Sequence, residues 1–515
     1  EGVKKAIAAC RHIPNPVLTF PPGRYDFWTS KAEKREYFVS NTTTEQECSS
    51  KIKNIAILFE GMSNLTLEGN GSLFVFHGKT ITFALDSCRN IRIANLSVDF
   101  ERPSMTELTI EKLSPTRMIA SIHPDSHYTI MDGRIRFYGE GWGMNDHFFC
   151  IQTDTVQGTN QYSSWDAVKD AKATELEPFK VMFENDFSPT NYVAGRTLTI
   201  RSHIRDHVGV FVNRSSNITL EDVNLHYMHG LGVVSQFSEN LTYRHVHITP
   251  SRGRTIAAFA DGMHFSGCKG FIELKECLFR GLHDDPVNVH GTYLRIMKTE
   301  NIHTHIVRYM HGQTYGFQPY YEGDTLAFVS HKTLLTEGRA TVVKVSRLSE
   351  REYRVELDEP LPANITEGDC LENITWTPSL HIDGCIMEMT NTRGLLVTTP
   401  RKVVVENNYF YRTGMYAIQI AADANSWFES GAVTDVIIRN NVFDGCGYNL
   451  GNGNQRCVIA IEPEVQEEVE NRYVHRNIRI VNNVFHISSG NRLVKSRSTD
   501  ALSVKDNEVK YFDKI

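Results

Sequence analysis

The chain has 515 residues, of which 41% are hydrophobic and 22% charged, with a formal charge of −7 at pH 7. That acidic balance excludes an extended nucleic-acid face, which needs clustered Lys and Arg, and no apolar run approaches the roughly 18 residues of a membrane span. Length alone suggests about two to four domains, an estimate that a solenoid escapes by growing along one axis.

Residues Gly2 to Cys10 carry Val3, Ala6, Ile7 and Cys10 at helical spacing. The stretch VLTFPPGRYDF that follows predicts an apolar strand broken at Pro21-Pro22-Gly23. A helix across the first strands is what an open-ended sheet needs, because an uncovered edge invites aggregation.

A repeat then emerges. NLTL begins at Asn64 and NIRI at Asn90, then NITL at Asn217 and NLTY at Asn240. It is plainer near the C-terminus, in VVVENNYF (403–410), VIIRNNVF (436–443), IRIVNNVF (478–485) and LSVKDNEV (502–509). Each unit is an alternating strand, an Asn-centred turn and a second short strand. Asn tolerates left-handed backbone angles and its amide bonds to nearby backbone; in a stacked coil it can also bond the equivalent Asn above. Strand–turn–strand units at a period of about 20–30 without helical spacing predict an all-β, right-handed parallel β-helix, with a β-sandwich as the alternative.

Two stretches lack the Asn turn. Residues 102–201 and 293–380 each hold evenly spaced short strands and polar turns, which suggest small antiparallel β-barrel-like insertions. The resulting division is 1–101 (N-terminal helix turns with the capping helix), 102–201 (first insertion), 202–292 (central turns), 293–380 (second insertion) and 381–515 (C-terminal turns). Both insertions flank the central turns and are well placed to wall a pocket. The ten cysteines are too sparse for a disulfide framework, and none forms a C-x-x-C pair. Cys446 and Cys457 flank a Gly/Asn-rich loop and could bridge, although buried thiols are the commoner case. Gly451-Asn452-Gly453 in that loop lacks the following helix that a phosphate loop needs.

The chemistry concentrates in 257–292, AAFADGMHFSGCKGFIELKECLFRGLHDDPVNVHGT. Asp261 precedes the pair Asp284-Asp285 by 23 positions, about one repeat step. Adjacent coils stack about 4.8 Å apart, so the three carboxylates should meet. Pro286 holds Asp285 extended and removes a ladder donor, which favours a strand end where both aspartates reach one pocket. Glycosidic cleavage needs a protonated carboxyl at the leaving oxygen and an ionised one at the water or the anomeric carbon. Crowding divides those roles, because mutual repulsion keeps one group protonated. His264, His283, Asn288 and His290 are candidates for binding sugar hydroxyls, against the plainer reading of satisfied polar turn residues. Trp142, Trp165 and Trp427 could stack on a sugar face, and Glu462 could approach from a later turn.

At these residues the sequence resembles glycoside hydrolase family 110, the exo-acting α-1,3-galactosidases of blood-group B and linear B glycans. The ADG…HDDPVNVHG pattern carries the likeness, which extends over nearly the whole chain, from the opening PPGRYDF through the Asn-turn repeats to both insertions. It implies an inverting mechanism, with Asp261 as general acid and Asp284 and Asp285 as the pair activating water. The polygalacturonase motifs are only partly matched: Phe259-Ala260 stands where Asn-Thr would be, with neither Gly-His-Gly nor Arg-Ile-Lys. This favours a neutral terminal sugar over a polymer of uronates.

The expectation is therefore an exported enzyme, periplasmic or extracellular, acting on an oligosaccharide or glycoconjugate with terminal α-galactose. It should need neither cofactor nor metal, since acid–base pairs suffice. The sequence leaves a homo-oligomer open. A polysaccharide lyase, a polygalacturonase-like hydrolase and a non-catalytic glycan-binding solenoid remain alternatives, because this fold carries all of them.

Overall fold

The computed structural model describes residues 1–144, 147–450 and 456–512, so Gly451-Asn452-Gly453 lies outside the described residues. The helix Gly2–Cys10 turns Ile7 and Cys10 into the core at the open end of the first strands. Parallel pairing then runs from Val17–Thr19 against Thr66–Glu68 to Val484–Ser488 against Glu508–Phe512. The chain is a parallel β-helix. Its coils bury one apolar column, in which Phe410, Phe443 and Phe485 stack at 5.0 and 4.8 Å.

The bends explain the repeat. Asn407, Asn440, Asn482 and Asp506 all have φ between 55° and 60°, a conformation that Asn and Asp adopt at low cost. The residue after each of the first three turns inward. Asn408, Asn441 and Asn483 each donate a backbone N–H to the side-chain oxygen of the next coil's Asn, every bond 2.9 Å, ending at Asn507. Their amide NH2 groups bond backbone carbonyls of the preceding coil, as Asn441 does to Val405 at 2.9 Å. The ladder continues upstream through sulfur. Cys385 N–H donates to Asn408 Oδ1 at 2.8 Å, and Cys277 N–H approaches Cys385 Sγ at 3.4 Å. All ten cysteines are free, Cys446 and Cys457 included. A second, outer ladder links Asn217 to Asn90 and Asn90 to Asn64 through their side-chain amides at 2.8 and 2.7 Å.

The insertions differ in closure. Strands Val287–Asn301, Thr304–Tyr309, Glu352–Leu357, Thr336–Arg347, Thr325–Val329 and Cys370–Asn373 pair in a closed antiparallel ring. Strand Val287–Asn301 belongs to both bodies: Val287 to Val289 pair within the coil, and Tyr293 onward within the barrel. The first insertion is an open seven-stranded antiparallel sheet with a three-stranded meander, the two wrapping one apolar core.

Replacing Asn441 by Ala leaves the Asn408 donors without their acceptor, at about 1–3 kcal/mol for each orphaned group. Asn440→Ala instead strains a left-handed residue by about 1–2 kcal/mol, and Asn440→Gly relieves that strain. Denaturant midpoints should therefore fall most for Asn441→Ala, less for Asn440→Ala and least for Asn440→Gly.

Candidate active site

Strand Met263–Ser266 pairs with Val287–His290 so that Met263 faces Val287 and His264 faces Asn288. The local step is thus 24, one more than the spacing from Asp261 to Asp284, and it sets Asp285 directly over Asp261. Gly262 donates its N–H to Asp285 O at 2.9 Å. A Cβ at Gly262 would lie 2.7 Å from Pro286 O and 2.9 Å from Phe279, so the glycine of ADG is what lets the two coils close. Thr390 of the next coil holds Asp284 O at 2.8 Å. The loop leading to Asp261 is clamped by buried Glu107 of the first insertion, whose carboxylate accepts from Thr255 N–H at 2.9 Å.

The structure brings the three carboxylates together, one oxygen from each lying within 4.8 Å of the others. They floor a cleft of about 280 Å³. Asp261 and Asp285 are 5% and 1% exposed, whereas Asp284 is half-buried. Asp285 is locked: Arg393 donates its backbone N–H to Oδ1 at 3.0 Å and a guanidinium N–H to Oδ2 at 2.7 Å. Burial pushes the Asp285 carboxyl up, Arg393 pulls against it, and the charges of Asp284 and Asp261 add to the rise. Arg205 approaches Asp284 at 3.8 Å while its other arm donates to Gln313 of the barrel at 2.8 Å. Burial first, and the charge of Asp284 second, push Asp261 up to about 8. Both shifts favour a neutral carboxyl, but only Asp285 has the Arg393 cation in contact with it.

The expected sugar-binding residues divide. Asn288 lines the cleft, and its Oδ1 has no partner among the described residues. His264, His283 and His290 do not line it and are 0%, 2% and 2% exposed; His264 and His290 share the outward face of Asn288, and His290 lies behind Glu429. His264 Nδ1 lies 2.7 Å from Asp261 Oδ2, and its Nε2 lies 2.9 Å from His290 Nε2. His283 makes no hydrogen bond through either ring nitrogen among the described residues, and burial followed by Arg201 holds it well below the usual imidazole range.

Trp427 lines the cleft with its indole 45% exposed and is backed by His311 of the barrel at 4.4 Å. Asp423 organises its loop by accepting the backbone N–H groups of Asn425, Ser426 and Trp427. Trp142 and Trp165 sit in the first insertion outside the cleft, the latter against Phe149 at 4.6 Å. Glu462 pairs with Lys495 at 2.6 Å, and Glu464 reaches the cleft instead. The first insertion supplies Tyr162 to the lining, while the barrel buttresses Trp427 and Arg205 from behind.

Tyr162, Arg205, Arg393, Glu429 and Asn41 complete the site and carried no local sequence signal. Glu429 Oε1 accepts from Asn41 Nδ2 at 2.9 Å and stands 3.5 Å from His290 Nε2. Burial opposes its ionisation, but the Arg393 charge and the Asn41 amide favour the carboxylate, and its pKa is held low. The aspartate trio has the donor set for a divalent cation. Arg393 already engages both oxygens of Asp285, and that pairing supplies the charge compensation a cation would bring.

Two family models match the insertions: GLAA-B beta-barrel domain I over residues 106–198 and GLAA-B beta-barrel domain II over residues 304–371. The chain is 45% identical over 513 residues to alpha-1,3-galactosidase A of Bacteroides fragilis, spanning 98% of this chain and 84% of that protein. It is 37% identical over 521 residues to alpha-1,3-galactosidase B of Bacteroides thetaiotaomicron, spanning 98% and 82%. With alpha-1,3-galactosidase A of Akkermansia muciniphila the identity is 35% over 520 residues, spanning 100% and 83%.

Arg393→Met leaves Asp285 buried without its cation, which costs about 3–5 kcal/mol. The folded-state pKa of Asp285 then rises further above its unfolded value, so the native state binds the extra proton. Stability lost at pH 8 should return in part at pH 5, and equilibrium unfolding at the two values measures it.

Proposed function

This chain belongs to glycoside hydrolase family 110, the α-1,3-galactosidases, and from that premise we propose how its cleft works. The chain is a glycoside hydrolase that removes α-1,3-linked galactose. The proposed reaction is exo-acting: one terminal galactose enters a cleft of about 280 Å³, just below the roughly 300–1,000 Å³ usual for ligand sites. Trp427 offers an exposed face to the apolar side of the sugar ring. Asn288, Gln419 and Arg205 offer polar groups to its hydroxyls. The preferred substrates are blood-group B-type or linear Galα1,3Gal glycans outside the cell, and the protein is exported to reach them.

In this reading Asp261 protonates the departing oxygen and Asp284, with Asp285, takes the proton from water. The observation that carries it is the division among three clustered carboxylates: Asp261 is buried, without a cation in contact, in surroundings that favour its neutral form, Asp285 is paired with Arg393, and Asp284 is the half-buried one. Their closeness also favours a second reading. Most inverting enzymes hold acid and base about 6.5–9.5 Å apart and retaining ones about 5–5.5 Å, whereas these oxygens approach within 4.8 Å. Inversion is preferred because Arg393 engages both oxygens of Asp285 and blunts it as a nucleophile, while neighbouring carboxylates suit the capture of one water.

Proton NMR of the first turnovers on the blood-group B trisaccharide and on α-1,3-galactobiose should show β-galactose. Early α-galactose would establish retention and reassign Asp284 or Asp285 as nucleophile. Asp261→Asn should lower kcat/KM on the disaccharide by about 10²–10⁴-fold, with a much smaller loss on an aryl α-galactoside whose phenol leaves unaided. Activity requires protonated Asp261, so kcat/KM should fall as pH rises through about 8.

A further inference from the structure

The hydrogen bonds behind Asp261 have a direction. They end at a backbone carbonyl, Gly291 O, which only accepts. His290 Nδ1 lies 2.6 Å from it and must carry hydrogen. Burial holds His290 neutral against the pull of Glu429, whose Oε1 lies 3.5 Å from Nε2; the lone pair at Nε2 then takes a hydrogen from His264 Nε2, 2.9 Å away. A neutral His264 in turn presents a lone pair at Nδ1, 2.7 Å from Asp261 Oδ2. Only a hydrogen on Oδ2 satisfies that contact. Both rings are sealed from solvent, at 0% and 2% exposure, and burial disfavours an imidazolium.

We infer that His264 and His290 are positioning residues that keep the proton on Asp261, through a hydrogen-bond chain whose polarity is set by the Gly291 carbonyl. The inference rests on the reading of Asp261 as general acid and says what makes it one. Charges facing Asp261 pull both ways: Asp284, Asp285 and Glu429 favour the neutral carboxyl, whereas Arg205 and Arg393 favour the carboxylate. To burial and these charges the chain adds a directional preference for the neutral carboxyl. It also prepares the next turnover, because after Asp261 gives up its proton the bare Oδ2 faces the His264 Nδ1 lone pair. That repulsion favours recapture of a proton from the cleft.

His290→Leu removes the acceptor from His264 Nε2. His264 can then move its hydrogen to Nδ1 and donate to an ionised Asp261. The alkaline limb of kcat/KM on the disaccharide should move down by about one pH unit or more, with little change on an activated aryl galactoside. His290→Gln keeps an acceptor oxygen and should leave the limb near its original position. An unmoved limb in His290→Leu, or equal shifts in both variants, overturns the inference. Neutron diffraction of the unmodified protein tests it independently of folding and catalysis. Deuterium on Asp261 Oδ2, His264 Nε2 and His290 Nδ1 supports it, and deuterium on His264 Nδ1 overturns it. Should the neutron result hold while Asp261→Asn cleaves the disaccharide at full rate, the chain stands and the acid assignment falls.

Discussion

A coil that bends several times per turn leaves a backbone N–H at each corner without a partner in its own coil, and a buried amide cannot stay unpaired. Everything here depends on how those corners are satisfied. Along one corner the acceptor is a side chain of the next coil, first the Cys385 thiol and then Asn408, Asn441, Asn483 and Asn507. Each acceptor fits only one residue below it. The ladder therefore satisfies amides and sets register together, and a slipped register would orphan the whole column.

Register is what turns spaced aspartates into a site. A step of 24 between the central coils superposes Asp285 on Asp261, and the corner before Pro286 brings Asp284 to the same cleft. One more or one fewer residue would rotate the alternation and send one carboxylate to the opposite face. The Arg393 contacts depend on the same stacking, since Leu395 pairs with Val287 two residues beyond each partner.

This is also why part of the molecule was legible in the sequence. Asn turns recur in a fixed frame, so the coil, the ladder and the meeting of Asp261 with Asp284 and Asp285 follow from spacing. The cysteines escaped that logic, because a thiol standing in for an Asn carbonyl has no sequence mark. His264 and His290 were placed among the sugar contacts because alternation puts them on the same face as Asn288, and it does not show that Glu429, from a remote loop, lies over His290. Arg205, Arg393, Glu429 and Tyr162 arrive from remote coils and loops, and only the assembled stack puts them together. Closure of the second insertion, and the openness of the first, depend on pairings between distant strands that local alternation does not encode.

The strand Val287–Asn301 runs unbroken from the catalytic coil into the barrel wall. Its first part carries Asn288 and His290, its last pairs with Thr304–Tyr309, and between them Gly291 pairs with Ser430 and Thr292 with Glu429. The barrel is thus spliced into the solenoid, with no tether at this junction. A graft that exchanged the barrel for another would have to cut through the beam that supports the floor of the cleft. Exchange of the barrel would therefore disturb Asn288 and His290 along with the wall.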